Sequence, residues 1–408
     1  MRKLILFLTL ILSLSSFGQP FGNEWIDYNQ SYYKIKIVEN GVYRISFQTL
    51  NNNGVPVSAI NPKNFQLFVK GKEVAIYIKG EDDNSFDLND YIEFYGEGND
   101  GWLDTALYKG RNNQPNPYYS LINDTISYFL TWNSSVTNLR YQEENAIDFG
   151  NYFAAPYILK EKLQVYNSNY YDGKILSSKA TSPEYTKAEG WMDSPIALGQ
   201  RKNKTISAPN RYTGGPFVDF EIQVVGASDW KGVNNGDHHL RITFGSQLVD
   251  EIFEGYELKK INRSFSPTEI IKGNNVIGFE SIDDLGAGVD RTALAYMKIT
   301  YPHTLNLNSE FYYEFLLEDG TVQNAQYLEM ILFNGGSNPI LYDLTNHKKI
   351  RVIETLANYK MIVPNGNGIK KCVILNENEI KNITQIFPVE ETGTFTNVGA
   401  NISDAAFL

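Results

Sequence analysis

The side chains with the most latent chemistry are few: one cysteine, Cys372, and four histidines, His238, His239, His303 and His347. A thiol acts as a nucleophile only with a base in reach. In KKCVILN, Cys372 falls on the apolar phase of a strand pattern, where a free cysteine behaves as a small buried hydrophobe. The histidine nearest to it in sequence, His347 in LTNHKKI, sits in a lysine-rich turn. His238 and His239 are adjacent in GDHHLRI, so a strand points them to opposite faces and one zinc ion cannot readily take both. His303 follows Tyr-Pro, and none of the four has metal-ligand spacing.

Carboxylates offer a second chemistry. EDDNSFDLND, from Glu81 to Asp90, supplies Asp82, Asp83, Asp87 and Asp90, with Asp100 and Asp104 further on, and calcium wants several oxygens at short alternating spacing. The order D-x-[DN]-x-[DN]-G is absent, so these residues read first as solvated turns, with calcium as the one cofactor they would suit. Aromatic rings beside acids and amides offer a third. Tyr170 and Tyr171 in NSNYYDG, Trp191 in PEYTKAEGWMD and Trp230 in ASDWKG have the composition of a sugar-stacking surface. Rings in β cores and loops have the same composition, so glycan binding and plain packing both stay open.

These residues ride on strands. YKIKIVENGVYRISF, from Tyr33, alternates Ile35 and Ile37 with lysines, reaches Asn40-Gly41 and returns through Val42 and Arg44, which predicts a type I′ hairpin. FQLFVKGKEVAIYIKG repeats the form around Lys70-Gly71. In YIEFYGEGNDGWLD, from Tyr91, Ile92 and Phe94 share one strand face and Tyr91, Glu93 and Tyr95 the other, and Asn99-Asp100-Gly101 is a turn signal. Further strands are expected in FVDFEIQVV, HHLRITFG, QLVDEIF, NNVIGFE and RTALAYMKITY, then in FYYEFLL, YLEMILFN, ILYDLT, KIRVIE, YKMIVP and KCVILN. The spacing predicts an all-β, multi-domain chain: an N-terminal β domain over 19–147, a jelly-roll-like β-sandwich over 148–304, a third β segment over 305–378, and a linker or the start of a further domain over 379–408.

Bulk properties bound the function. Arg2 and Lys3 precede an apolar run from Leu4 to Leu14 and small residues at Ser16 and Gly18, the pattern of a secretory signal peptide over 1–18. With 408 residues, 42% of them hydrophobic and 20% charged, the rest is the composition of a folded exported protein. A formal charge of −11 argues against nucleic acid and against an anionic membrane surface. One cysteine excludes an internal disulfide.

Taken in order, the segments YYKIKIVENGVYRIS, DYIEFYGEGNDGWLD, PEYTKAEGW and RTALAYMKITYPH resemble the N-terminal half of the gingipain-family cysteine peptidases that serve as type IX secretion sortases in Bacteroidota. The resemblance implies β regions preceding a caspase-like catalytic domain that cleaves the C-terminal signal from secreted cargo at the cell surface, in association with the outer membrane. It assigns no catalytic residue here, because the sequence lacks a His-Gly pair and Cys372 lies upstream of where that domain would begin. No peptidase activity is therefore expected of this chain alone. The implied partners are a downstream catalytic domain, which the closing DAAFL resembles in its opening residues, and type IX outer-membrane components. The alternative is a free-standing secreted carbohydrate-binding or adhesin-type sandwich. On the truncated reading, residues after Asn376 lack a partner and should be mobile.

Overall fold

The computed structural model describes residues 22–178, 180–233, 236–356, 358–366 and 368–397. The signal peptide over 1–18 and the closing DAAFL lie outside the described residues. Within them the chain is all-β, and the one α-helix is the short Phe47–Asn52, capped by the Ser46 hydroxyl accepting from Thr49 N–H.

The N-terminal part is two packed sheets. Tyr33–Ile37, Phe65–Val69, Lys72–Val74 and Ile126–Trp132 form one, and Gly41–Ser46, Tyr77–Lys79 and Tyr91–Gly96 the other. Ile35, Ile45, Leu67, Ile92 and Phe94 fill the space between them. The Lys70-Gly71 hairpin forms as expected, with φ of 52° and 75° at the two turn residues. The Asn40-Gly41 hairpin does not. Tyr33–Ile37 pairs with Ile126–Trp132, whereas Gly41–Ser46 pairs with Tyr91–Gly96. The period-two pattern is right for both strands, but each buries its apolar face against the other, so the chain crosses between layers at Asn40 instead of turning back within one. Asn40 lacks the positive φ that a type I′ turn requires.

A ten-stranded sheet is the spine of the molecule. Strand order along it is Leu258–Phe265, Val218–Gly226, Arg291–His303, Ile158–Val165, Tyr312–Leu317, Lys370–Asn376, Pro339–Asp343, Lys348–Arg351 and Gln142–Glu144, with Ile196–Ala197 attached to Arg291–His303. Ladder hydrogen bonds thus run from the sandwich region into the third segment and on to residues 142–144. At one end the spine packs against a four-stranded sheet (Arg201–Ala208, Gly273–Ser281, His238–Phe244, Gln247–Phe253) through Phe220, Ile222, Ile242 and Phe279, making a sandwich. At the other end it packs against Asn306–Glu310, Ala325–Phe333, Asn358–Pro364 and Ile353–Glu354 through Phe315, Met330, Met361 and Ile374. Its opposite face is also covered. Along Lys370–Asn376, Cys372 and Ile374 point into the second of these cores while Val373 and Leu375 join Val42, Tyr141 and Tyr342 in a core against the N-terminal sheets.

The mobility expected after Asn376 does not describe residues 377–397. Lys381–Asn382 pairs in parallel with Gly41–Ser46, and Phe387–Pro388 pairs with Tyr33 and Lys34. Ile386 and Val389 are buried, and the Phe395 ring packs among Trp25, Tyr32 and Phe129. The segment returns to the N-terminal sheets, whose edges supply the partner that a free tail would lack.

Candidate functional site

The thiol and the imidazoles are placed apart. Cys372 is fully buried in the spine, and burial pushes its thiol well above the usual range. His347 lies in the turn before Lys348–Arg351 with its ring edge-on to Tyr141. His303 is buried between Tyr301 and Tyr313, with Nε2 3.1 Å from the Tyr313 hydroxyl and Nδ1 2.5 Å from the Thr304 carbonyl oxygen. Burial lowers it to about 4, so its ring is neutral. His238 has the reverse environment. Its Nδ1 is 2.6 Å from Asp290 Oδ1, and its Nε2 lies 3.1 Å from Ser228 O and 3.0 Å from Gly255 O. Carbonyls only accept, so Nε2 donates, and a carboxylate at Nδ1 favours a proton there as well. Burial opposes that charge, but Asp290 and Asp237 outweigh it and the His238 pKa is raised. Ser281 donates to the other Asp290 oxygen at 2.6 Å, so the hydroxyl faces the carboxylate and not the imidazole. This Ser-Asp-His chain pins three strand ends together. It lacks the serine-to-imidazole hydrogen bond that would generate a nucleophile. His239 turns the other way, to Asp284 at 2.9 Å.

The carboxylates proposed for calcium serve their own loops. Asp83 accepts from Ser85 N–H at 2.9 Å, Asp87 from the Ser85 hydroxyl at 3.0 Å, and buried Asp90 from Asp87 N–H at 2.6 Å. Asp82 lies exposed in the 3-10 turn Glu81–Asp83. Asp100 is 2.6 Å from Arg111 and accepts from Trp102 N–H at 3.1 Å, while Asn99 accepts from Gly101 N–H at 3.1 Å. With Gly101 at φ 83°, these two side-chain turns account for the GNDG stretch. Asp104 is buried and accepts from Ser120 Oγ and Leu121 N–H. Among the described residues no group of three or more His, Cys, Asp or Glu side chains converges as a metal site.

Of the aromatic candidates, the structure unites two. Tyr170 and Trp191 face each other across the hairpin of Asn169–Asp172 with Glu189–Met192, ring centroids 5.4 Å apart, and Tyr119 approaches the indole from another side at 6.3 Å. Trp191 lines a cleft of about 350 Å3 with Tyr119 and the loop Ser120–Asp124. Tyr171 points to the other side of the hairpin, its hydroxyl donating to Asp193 O at 2.7 Å, and belongs to a packed cluster. Trp230 lies in a separate loop against Gly288, where an added Cβ would meet the indole at 2.7 Å.

A further cleft contains none of the residues singled out as glycan-binding and only Asp100 of the calcium candidates. It encloses about 590 Å3 between the loops Val38–Asn40 and Gly98–Asp100 on one side and the spine strands at Lys160–Leu163 and Glu314–Leu316 on the other. Asn99 borders this cleft and the aromatic one. Lys160 reaches across it to donate to the Glu314 carbonyl at 2.5 Å, its ammonium 3.9 Å from the Tyr313 ring centroid, and burial lowers its pKa to about 8. Sequence reasoning missed this cleft because it arises from how two strands distant in sequence diverge.

No family model and no curated protein matches the sequence. Among solved structures, the fold is similar to dimeric latent PorU from Porphyromonas gingivalis, at a TM-score of 0.55 and 9% identity over 90% of this chain. The aligned part is 34% of that structure's chain, so this chain spans about a third of its length. A CBM36 domain of a multidomain xylanase from the hindgut metagenome of Trinervitermes trinervoides aligns with 34% of this chain and 96% of its own, at 16% identity and a TM-score of 0.20. A carbohydrate-binding module CBM36 in complex with calcium and xylotriose aligns with 34% of this chain and 98% of its own, at 12% identity and a TM-score of 0.19. The likeness to PorU gives the chain its all-β, multi-sheet fold as a shared one.

Proposed function

We propose that this chain is the non-catalytic β region of a type IX secretion sortase-like, gingipain-family cysteine peptidase, exported to the cell surface and acting with a catalytic domain encoded downstream. The observation that carries the reading is the likeness to latent PorU over nine-tenths of the chain. The ordered sequence segments from YYKIKIVENGVYRIS to RTALAYMKITYPH support it from a separate direction. On this reading bond cleavage belongs to the downstream domain, and the fully buried Cys372 thiol fits that division. The test is to produce residues 19–408 alone and joined to the downstream reading frame, and to assay release of a C-terminal signal from a type IX cargo. Activity is expected only in the longer protein and unchanged there by Cys372→Ser. Release by the shorter chain, lost in Cys372→Ser, would overturn the reading.

The half-buried Trp191, flanked by exposed Tyr170 and Tyr119 beside its cleft, favours a second reading, a glycan-binding β-sandwich protein. A glycan array separates the two. Saturable binding lost in Trp191→Ala but kept in Tyr171→Phe supports the second.

A further inference from the structure

The spine is continuous in strand order but nearly parted at one place. Ile158–Val165 pairs with Arg291–His303 along its whole length, and Tyr312–Leu317 pairs with Lys370–Asn376 along its whole length. Between the two strands there is a single residue pair, Leu159 with Leu316. Beyond it the strands diverge, and the cleft of about 590 Å3 opens in the gap.

The phase of the ladders fixes what faces that gap. Tyr166 N–H donates to Ala295 O, and residues 158–165 continue that register with no shift. Even-numbered residues therefore spend their N–H and C=O groups on Arg291–His303, and Leu159, Glu161 and Leu163 turn theirs toward the gap. On the far side, Asn376 N–H donates to Phe311 O, so Tyr312, Glu314 and Leu316 face the gap. The Lys160 ammonium bonded to Glu314 O agrees with that phase and stands where a strand donor would. Glu161 and Leu163 thus present a strand edge inside a sheet that has no ladder partner among the described residues, about 7 Å long at 3.3 Å per residue.

Charge selects the occupant. Glu97 and Asp100 in the cleft are already matched by Lys371 and Arg111. Glu161 and Glu314 are matched less closely: Lys298 stands 3.9 Å from Glu161, Glu314 accepts from the hydroxyls of Tyr95 and Tyr312, and the Lys160 ammonium held on the Glu314 carbonyl is shared between the two carboxylates. Both carboxylates lie on the same sheet face as Leu163 and Leu316, two residues apart along each strand. We propose that this gap binds an extended, lysine- or arginine-bearing polypeptide segment, which adds as a strand to the Glu161–Leu163 edge and sets its cations against Glu161 and Glu314. Main-chain hydrogen bonds give the affinity and the alternate side chains the selectivity, the logic of strand addition at an open edge. The inference does not depend on the sortase reading.

The probe is a fluorescein-labelled octapeptide, (Lys-Val)4, compared with the same peptide N-methylated at alternate amides and with (Glu-Val)4, each titrated into residues 19–408 by anisotropy. Saturable, salt-sensitive binding of the first is expected, weaker by about tenfold or more for the other two and for Glu161→Lys. Leu163→Pro should abolish it while sparing the fold, because that N–H takes no part in the ladder to Arg291–His303. Hydrogen exchange supplies an independent reading: the amides of Glu161 and Leu163 should exchange much faster than those of Lys160 and Lys162 in the free protein, and slow on binding. Equal affinity for the N-methylated or acidic peptide, no saturable binding at millimolar (Lys-Val)4, or protected Glu161 and Leu163 amides in the free chain would each overturn the proposal.

Discussion

Replacing Glu93 is the sharpest test of how the N-terminal sheets are held to the spine. Its carboxylate is fully buried. Oε1 accepts from Arg44 at 2.6 and 2.8 Å, and Oε2 accepts from the Tyr342 hydroxyl at 2.5 Å and from Lys349 at 3.3 Å. Arg44 also reaches Glu377 at 2.9 Å, so two cations are balanced by two anions drawn from both sides of the interface. In Glu93→Ala the Arg44 and Lys349 charges stay largely buried against one remaining anion, a change that costs about 3 to 5 kcal/mol. At an m-value of about 3 kcal/mol per molar urea, the unfolding midpoint falls by about 1 to 1.7 M. Tyr342→Phe removes one hydrogen bond to a charged group and should cost about 1.5 to 3 kcal/mol. Glu377→Ala removes a partly solvated partner and should cost less than about 1 kcal/mol. Changing Arg44, Glu93 and Lys349 together to Met should recover much of the Glu93→Ala loss, because the one charge then left without its partner, Glu377, is partly solvated. If Glu93→Ala shifts the midpoint no more than Glu377→Ala does, the carboxylate is not the keystone of this interface.

Other outcomes follow from the same structure. His303 has a folded pKa of about 4 against about 6.5 unfolded, so its contribution is complete above 6.5 and is lost as pH falls from about 6.5 to 4, by about 2 to 4 kcal/mol; His303→Phe should flatten that acid limb of a stability-pH profile. His238 is shifted upward, so its contribution is complete below about 6.5 and is lost as pH rises through the higher folded value; His238→Gln should remove that dependence and lower stability most in mild acid. Cys372 should resist an aromatic disulfide reagent in the native protein and react fully in denaturant, and fast native labelling would place the thiol at the surface. Phe395→Ala should cost about 1 to 2 kcal/mol through lost ring packing on Trp25, Tyr32 and Phe129, and limited proteolysis of the wild type should spare residues 377–397; early cleavage there would mean that the return strand is not docked.

The strand periods were legible in the sequence, and nearly every apolar alternation from FVDFEIQVV to KCVILN became a strand. Among the strands that escaped notice, Ile158–Val165, Arg201–Ala208 and Leu258–Phe265 share one cause. Each carries lysine or arginine at several positions, and their apolar residues are too sparse to read as alternation in ILKEKLQV or LKKINRSF. The neighbours across the sheet decide there, not the local pattern. The same limit explains Glu93. Its phase with Tyr91 and Tyr95 was readable, but which face meets solvent was not, because the covering residues Tyr342 and Lys349 lie about 250 positions away in sequence. The Asn40-Gly41 turn fails for a related reason: turn residues permit a hairpin, but the two inward faces demand opposite layers. In the candidate sites, the pairing of Tyr170 with Trp191 follows from one hairpin register. The gap at Glu161 and Glu314 depends on where a single residue pair ends.

That single pair also sets what the contacts outside the ladders must do. On one side of Leu159–Leu316, the sandwich half of the spine is held by full ladders from Ile158–Val165 to Leu258–Phe265. On the other, full ladders run from Tyr312–Leu317 through Lys370–Asn376 to Lys348–Arg351. Backbone bonds alone tie each half firmly within itself and only weakly to the other. What spans the weak joint is side-chain chemistry: Lys160 bonded to Glu314 O, His303 between Tyr301 of one half and Tyr313 of the other, and the N-terminal region, which reaches one half through Tyr95 and the Glu93 cluster and the other where Asn116 donates to Tyr166 O and Gln223 donates to Pro115 O. A strand added in the gap would replace some of these contacts with ladder hydrogen bonds. The Glu161–Leu163 edge stays open because the contacts that hold the two halves in register run through side chains and leave its own N–H and C=O groups unused.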